Sequence, residues 1–194
     1  RRLIEHKFNN RQPRPYQTLC LNRIARPHRI KLYNTLKDIN GVLVTLQQHG
    51  IASPYPNIEY ENYDYNNILN LLSLQETYNA CDFSIVSETC YQEPGVFVTE
   101  KTIHAILALH PALYVATVGH VAKLRHYGFD VFDDVFDHSY DTISDADTRM
   151  QHMLNANWDL ITGKKRLDRS KLLGRLENNR ILYAAGGWPI CELR

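Results

Sequence analysis

The sequence predicts an α/β fold: a parallel sheet with helices on both faces and a helical C-terminal tail. Three observations predict it. Short apolar runs of strand length alternate with longer stretches whose apolar residues recur at helical spacing. The connections between them have the length that joins strand to helix in a layered domain. The 194 residues, 44% hydrophobic and 22% charged, suffice for one sizeable core.

Residues 1–17 are polar, basic and broken by Pro13 and Pro15, and read as an arm or linker. Thr18-Leu19-Cys20-Leu21-Asn22 reads as the first buried strand. A basic loop from Arg23 to Arg29, containing Pro27, leads into a helix over 28–40, where Ile30, Leu32, Tyr33, Leu36 and Ile39 keep helical spacing. Gly41 ends that helix, and 42–46 is the second strand. The stretch 50–67 is rich in Tyr, Asn and Pro and reads as a long loop, because Asn and Pro disfavour regular structure. Its tyrosines either cover a domain edge or stack on a base or sugar. A helix over 68–78 follows, then a strand over 82–87, a loop from Glu88 to Val96, a helix over 100–109 and a strand over 112–116. Residues 121–127 form a short helix closed by Gly128, and 129–132 a last short strand. Beyond an acidic loop, helices are expected from Asp145 to about Ile161 and from Arg169 to Ala184, with a turn at 186–189. The organisation is then an arm over 1–17, a Rossmann-like domain over 18–144 and a helical extension over 145–194. In such sheets ligands bind at the carboxyl ends of the strands, where the loops after Leu21, Val86 and Ala116 open.

Composition excludes several classes. No apolar run reaches the roughly 18–20 residues that cross a bilayer, and no apolar segment follows the basic N-terminus to make a signal peptide. Cys20, Cys81, Cys90 and Cys191 include no Cys-x-x-Cys pair, so reduced thiols in a cytoplasmic protein are expected rather than zinc or a disulfide framework. Gly-x-Ser-x-Gly, P-loop and Gly-x-Gly-x-x-Gly motifs are absent, which removes support for serine hydrolases, NTPases and dinucleotide oxidoreductases. The net charge of +1 hides an asymmetry: nine bases against Glu5 between Arg1 and Lys31, and seven acids between Asp130 and Asp147. The basic end suits phosphate, an acidic partner or packing on another chain; nucleic-acid binding, with its steep salt dependence, is the weakest of these readings. Asp145-Ala146-Asp147 reads as a helix cap rather than a metal-binding Asp-x-Asp pair. The cluster Asp133, Asp134 and Asp137 reads as a solvated loop, and no metal is expected. His28 sits in the basic loop, where phosphate binding is one reading; the other histidines read as structural.

One stretch carries chemistry. Phe97-Val98-Thr99-Glu100-Lys101 puts an acid and a base at a helix start, after a loop with Pro94 and Gly95. Free N–H groups and the dipole at a helix N-terminus favour an anion. Lys101 adds a full charge, and Glu100 can accept hydrogen bonds from sugar hydroxyls. The combination suits a nucleoside diphosphate carrying a sugar.

These residues, with Phe83-Ser84-Ile85-Val86-Ser87-Glu88-Thr89-Cys90 before them and Ala112-Leu113-Tyr114-Val115 after, resemble the donor-binding half of the α1,3-fucosyltransferases. Leu21-Asn22…Arg29…Tyr33…Leu36 matches an upstream element of that family, and the likeness covers about residues 18–135. It implies the C-terminal, GT-B-type donor domain of a glycosyltransferase. Carried over, Arg29 and Lys101 bind the diphosphate, Glu88 lies near sugar or base, Glu100 binds ribose or sugar hydroxyls, and Asn22 belongs to the same site. The donor implied is a nucleoside diphosphate sugar, GDP-linked first among the choices, with no metal required. Thr89-Cys90, Phe97 and Ala116 depart from the family pattern. About seventeen residues precede the first predicted strand, so the acceptor half is expected to lie elsewhere, the acceptor is unknown, and no general base is assigned. Residues 124–129 and 139–141 also look like glycosyltransferase-like proteins of phages and large viruses. The rival expectation is therefore a structural or assembly protein, in host cytoplasm or virion, that keeps the fold without the activity.

Overall fold

The computed structural model describes residues 14–46 and 74–186. Four parallel strands run β1 (Tyr16–Cys20), β2 (Val42–Val44), β3 (Cys81–Ser87) and β4 (Ala112–Val115). They are ordered β2-β1-β3-β4 across the sheet. Pairing is in register at Leu19↔Leu43, Leu19↔Ser84 and Ile85↔Leu113. Helix α1 (Pro27–Leu36) joins β1 to β2, α2 (Gln75–Asn79) precedes β3, and α3 (Glu100–Leu107) joins β3 to β4. Then come α4 (His120–His126), a 3-10 turn (Ser139–Thr142), α5 (Ala146–Ala156), α6 (Trp158–Ile161), a second 3-10 turn (Arg169–Lys171) and α7 (Leu173–Ala184).

Strand alternation feeds two cores. Leu19 and Leu43 pack with Leu74, Tyr78, Leu107 and Ala108 on the face that α2 and α3 cover. Cys20, Val44, Phe83, Ile85 and Leu113 belong to the larger cluster, with Leu32 and Leu36 of α1 and Met150, Met153 and Ile161 of α5 and α6. The C-terminal helices therefore share the core of the sheet. Among the described residues no helix is long and apolar enough to cross a membrane.

Several expectations shift. The first strand begins at Tyr16 instead of Thr18, because the Tyr16 N–H donates to Ala80 O and Gln17 is buried. Its side chain is pressed between two glycines: a Cβ at Gly41 or Gly163 would come within 2.5 or 2.6 Å of the Gln17 amide. Helix α1 starts with Pro27 in its first turn, where the missing N–H costs nothing, and ends at Leu36. The expected strand 129–132 is not a strand. The Asp130 N–H and C=O pair with the Asn179 side chain at 2.8 and 2.7 Å, and Phe132 turns to φ 63°, dropping into the core. The expected helix 145–161 breaks at Asn157, whose side chain bonds both backbone groups of Asp137 at 2.9 Å. The predicted loop over 50–67 and the first part of the helix over 68–78 lie outside the described residues, as do most of the arm and the turn at 187–189.

Candidate functional site

The chain leaves β1 toward β2 on one side and returns to place β3 on the other. A switch of direction between two neighbouring parallel strands opens a crevice beyond their carboxyl ends, where ligands bind in open α/β sheets. Here the crevice lies between the loops after Cys20 and after Ser87. It holds a cavity of about 60 Å³ lined by Leu19, Asn22, Ser87, Glu100, Lys101 and His104, among others. Three of the five residues singled out from the sequence, Asn22, Glu100 and Lys101, thus meet at one place.

Each is fixed locally. Asn22 is 1% exposed. Its N–H donates to Thr45 Oγ1 at 3.1 Å, that hydroxyl donates back to Asn22 O at 3.3 Å, and Asn22 Nδ2 donates to Cys20 Sγ at 3.3 Å. Thr99 caps α3, accepting the Lys101 N–H at 3.3 Å. Lys101 Nζ meets Glu100 Oε1 at 2.7 Å, with both side chains partly open to solvent. His104 lies one turn on; burial pushes its imidazole down to about 4, so it stays neutral.

Arg29 and Glu88 stand behind the crevice. Both are buried. Arg29 Nη2 donates to the carbonyls of Ser87 and Glu88, each at 3.2 Å, and Nη1 donates to Ile24 O at 3.3 Å. The Glu88 carboxylate accepts from the Thr99 N–H at 3.1 Å, from Thr102 Oγ1 at 2.6 Å and from Thr99 Oγ1. It therefore occupies the N-terminal end of α3, the position that the sequence alone suggested for an incoming anion. His28 Nε2 donates to Glu88 O at 3.2 Å and stacks on Tyr91; burial pushes it down to about 4. His28 lines a separate groove of about 280 Å³ with Arg26 and Lys31, and Lys31 is paired there with Asp147 at 3.4 Å.

The acidic stretch is tied down by bases that sequence spacing did not reveal. Arg175 forks onto Asp130 and Asp134, and Arg125 onto Asp133. Asp145 caps α5 through the Thr148 N–H at 2.8 Å. Among the described residues no group of three or more His, Cys, Asp or Glu side chains could hold a metal ion. Sequence reasoning missed Ser87 and His104 at the cavity. Glu100 to His104 is one helical turn, so that pair was legible from spacing; Ser87 shows only as the last residue of its strand. The chain matches no protein-family model, no curated protein and no solved structure.

Proposed function

We propose that this chain binds a nucleoside diphosphate sugar across the mouth of the β1/β3 crevice, as the donor-binding half of a glycosyltransferase. The observation that carries the reading is the convergence of Asn22, Glu100 and Lys101 at the switch point of the sheet. Lys101 supplies the charge that stabilises the leaving diphosphate, and Glu100 accepts from sugar or ribose hydroxyls. Transfer is then direct displacement at the anomeric carbon. Arg29 acts through the loop whose carbonyls it holds.

A second reading is favoured by a different observation. Arg29 and Glu88 are committed to protein partners, and the cavity between the strands is small. Both facts fit a structural or assembly protein that keeps the fold without transferring sugar.

Calorimetric titration with GDP, UDP and their sugars separates the two. Binding in the micromolar range that Lys101→Ala abolishes supports the donor site. No binding of any of these nucleotides leaves the structural reading.

A further inference from the structure

The cavity has an interior chemistry distinct from its charged mouth. Leu19, Leu74, Tyr78 and Ile85 give it apolar walls. Two buried side chains interrupt them, Asn22 and Ser87, 1% and 0% exposed. Among the described residues neither Asn22 Oδ1 nor Ser87 Oγ has a hydrogen-bond partner. Buried polar atoms in native proteins are nearly always paired, so two orphans lining one cavity mark a place where a partner arrives. Asn22 Nδ2 is engaged by Cys20 Sγ at 3.3 Å, which leaves Oδ1 as the open end of the amide. It offers an acceptor. The Ser87 hydroxyl can donate and accept, and neutral His104 borders the same space.

Size limits the visitor. The cavity is about 60 Å³, against the ~150 Å³ of a cavity that admits benzene. A whole ring does not fit; a small group with an N–H or O–H does.

We propose that this cavity is a subsite for a hydrogen-bond-donating tip, a hydroxyl or an exocyclic amine, of the ligand that lies across Lys101, with Asn22 Oδ1 accepting its hydrogen. The ligand's identity rests on the nucleotide-sugar reading, in which the tip comes from the base or from the sugar's hydroxymethyl group. The subsite itself does not rest on it. A site built to bond such a group discriminates strongly against the analogue lacking it, because its own polar atoms are then left unpaired.

The first test uses the whole chain and two small probes of equal size. Acetamide carries an N–H; acetone does not. In amide NMR spectra the Asn22 side-chain and Ser87 backbone signals shift saturably with acetamide, at about tenfold lower concentration than with acetone. Equal responses to both, or none at these residues, overturn the subsite and leave it to water. The second test compares GDP with IDP, and a GDP-hexose with its 6-deoxy counterpart. Preference of about tenfold or more in the first pair assigns the tip to the base, and in the second pair to the sugar; Asn22→Leu brings that ratio to unity. Unit ratios in both pairs, with binding still dependent on Lys101, overturn the subsite. Failure of every nucleotide to bind overturns the functional reading alone, and the acetamide comparison then decides the subsite.

Discussion

The two ends of the sheet handle their polar groups in opposite ways. At the amino end, Arg14 donates to the carbonyls of Tyr78, at 2.7 Å, and Cys81. Arg169 bridges Asp82 O and Leu109 O at 2.5 and 2.7 Å. His110 sits between Ser84 Oγ at 2.9 Å and Tyr78 O at 2.7 Å, and Arg166 meets Asp82 at 3.3 Å. At the carboxyl end, Asn22 Oδ1, Ser87 Oγ and Thr117 Oγ1 are buried without partners among the described residues. Pairing every group locks a region into one arrangement; leaving several unpaired costs stability that a ligand or water can return. Under the proposed function, stability belongs to the amino end and recognition to the carboxyl end.

Acid gives the largest effect, and it acts on both ends. Burial lowers the affinity for protons of His28, His104, His110, His120 and His138, to about 4 in the first two. An unfolded histidine titrates at about 6.5. Between those values the unfolded chain binds more protons than the folded one, so stability falls as pH drops through 6.5 toward 4. His104 alone accounts for about 3 kcal/mol of that loss. Urea titrations at pH 7.5, 6 and 5 should show a steadily falling midpoint; a flat profile would mean these rings are solvated or paired in the fold.

Next comes Arg169→Ala, which strips two buried carbonyls of their donor and should cost about 3 kcal/mol, read as a drop in thermal midpoint. A loss under about 1 kcal/mol would remove the amino end's claim to be the clamp.

This division explains what the sequence disclosed. The order of strands and helices was legible because burial on both faces produces apolar blocks, as in Phe83, Ile85 and Val86, and helical periodicity in α1. Lys101 and Glu100 were legible because a cap and a charge pair are local chemistry. Phe129 to Phe132 was misread because the same apolar pattern is satisfied by a loop whose backbone bonds to Asn179, a residue distant in sequence. Arg29 and Glu88 were singled out only through the family resemblance, as phosphate and sugar or base contacts, and their buried commitments depend on Ser87, Thr99 and Thr102 meeting in space. No spacing rule reports that.

A pair of substitutions sharpens the comparison at single residues. His110→Leu takes the ring partner from Ser84 Oγ and leaves Tyr78 O with Arg14 as its side-chain donor, and should cost about 2 kcal/mol. His120→Leu removes a ring that makes no close hydrogen bond, lies within electrostatic reach of the Phe97 backbone and packs on Tyr114 at 4.9 Å between centroids. It should be close to neutral at pH 7.5 and stabilising at pH 5, since it also removes a group that must stay uncharged. Matched chemical denaturation of the two variants checks this; equal losses would show that His120 is as fully satisfied as His110 and that the ends do not differ.

Lys101→Ala should likewise change stability very little at any pH, and the smallness of that change is informative. The Lys101–Glu100 contact is between neighbours in sequence, and both side chains reach solvent. Such a pair contributes under about 0.5 kcal/mol. If Lys101 serves recognition, its removal leaves the denaturation midpoint in place while any phosphate-bearing ligand loses affinity. If it serves the fold, the midpoint falls as it does for Arg169→Ala. Measuring both quantities on one variant decides which end of the sheet Lys101 belongs to: a residue at the carboxyl edge whose loss is felt in the midpoint alone would erase the distinction between the two ends.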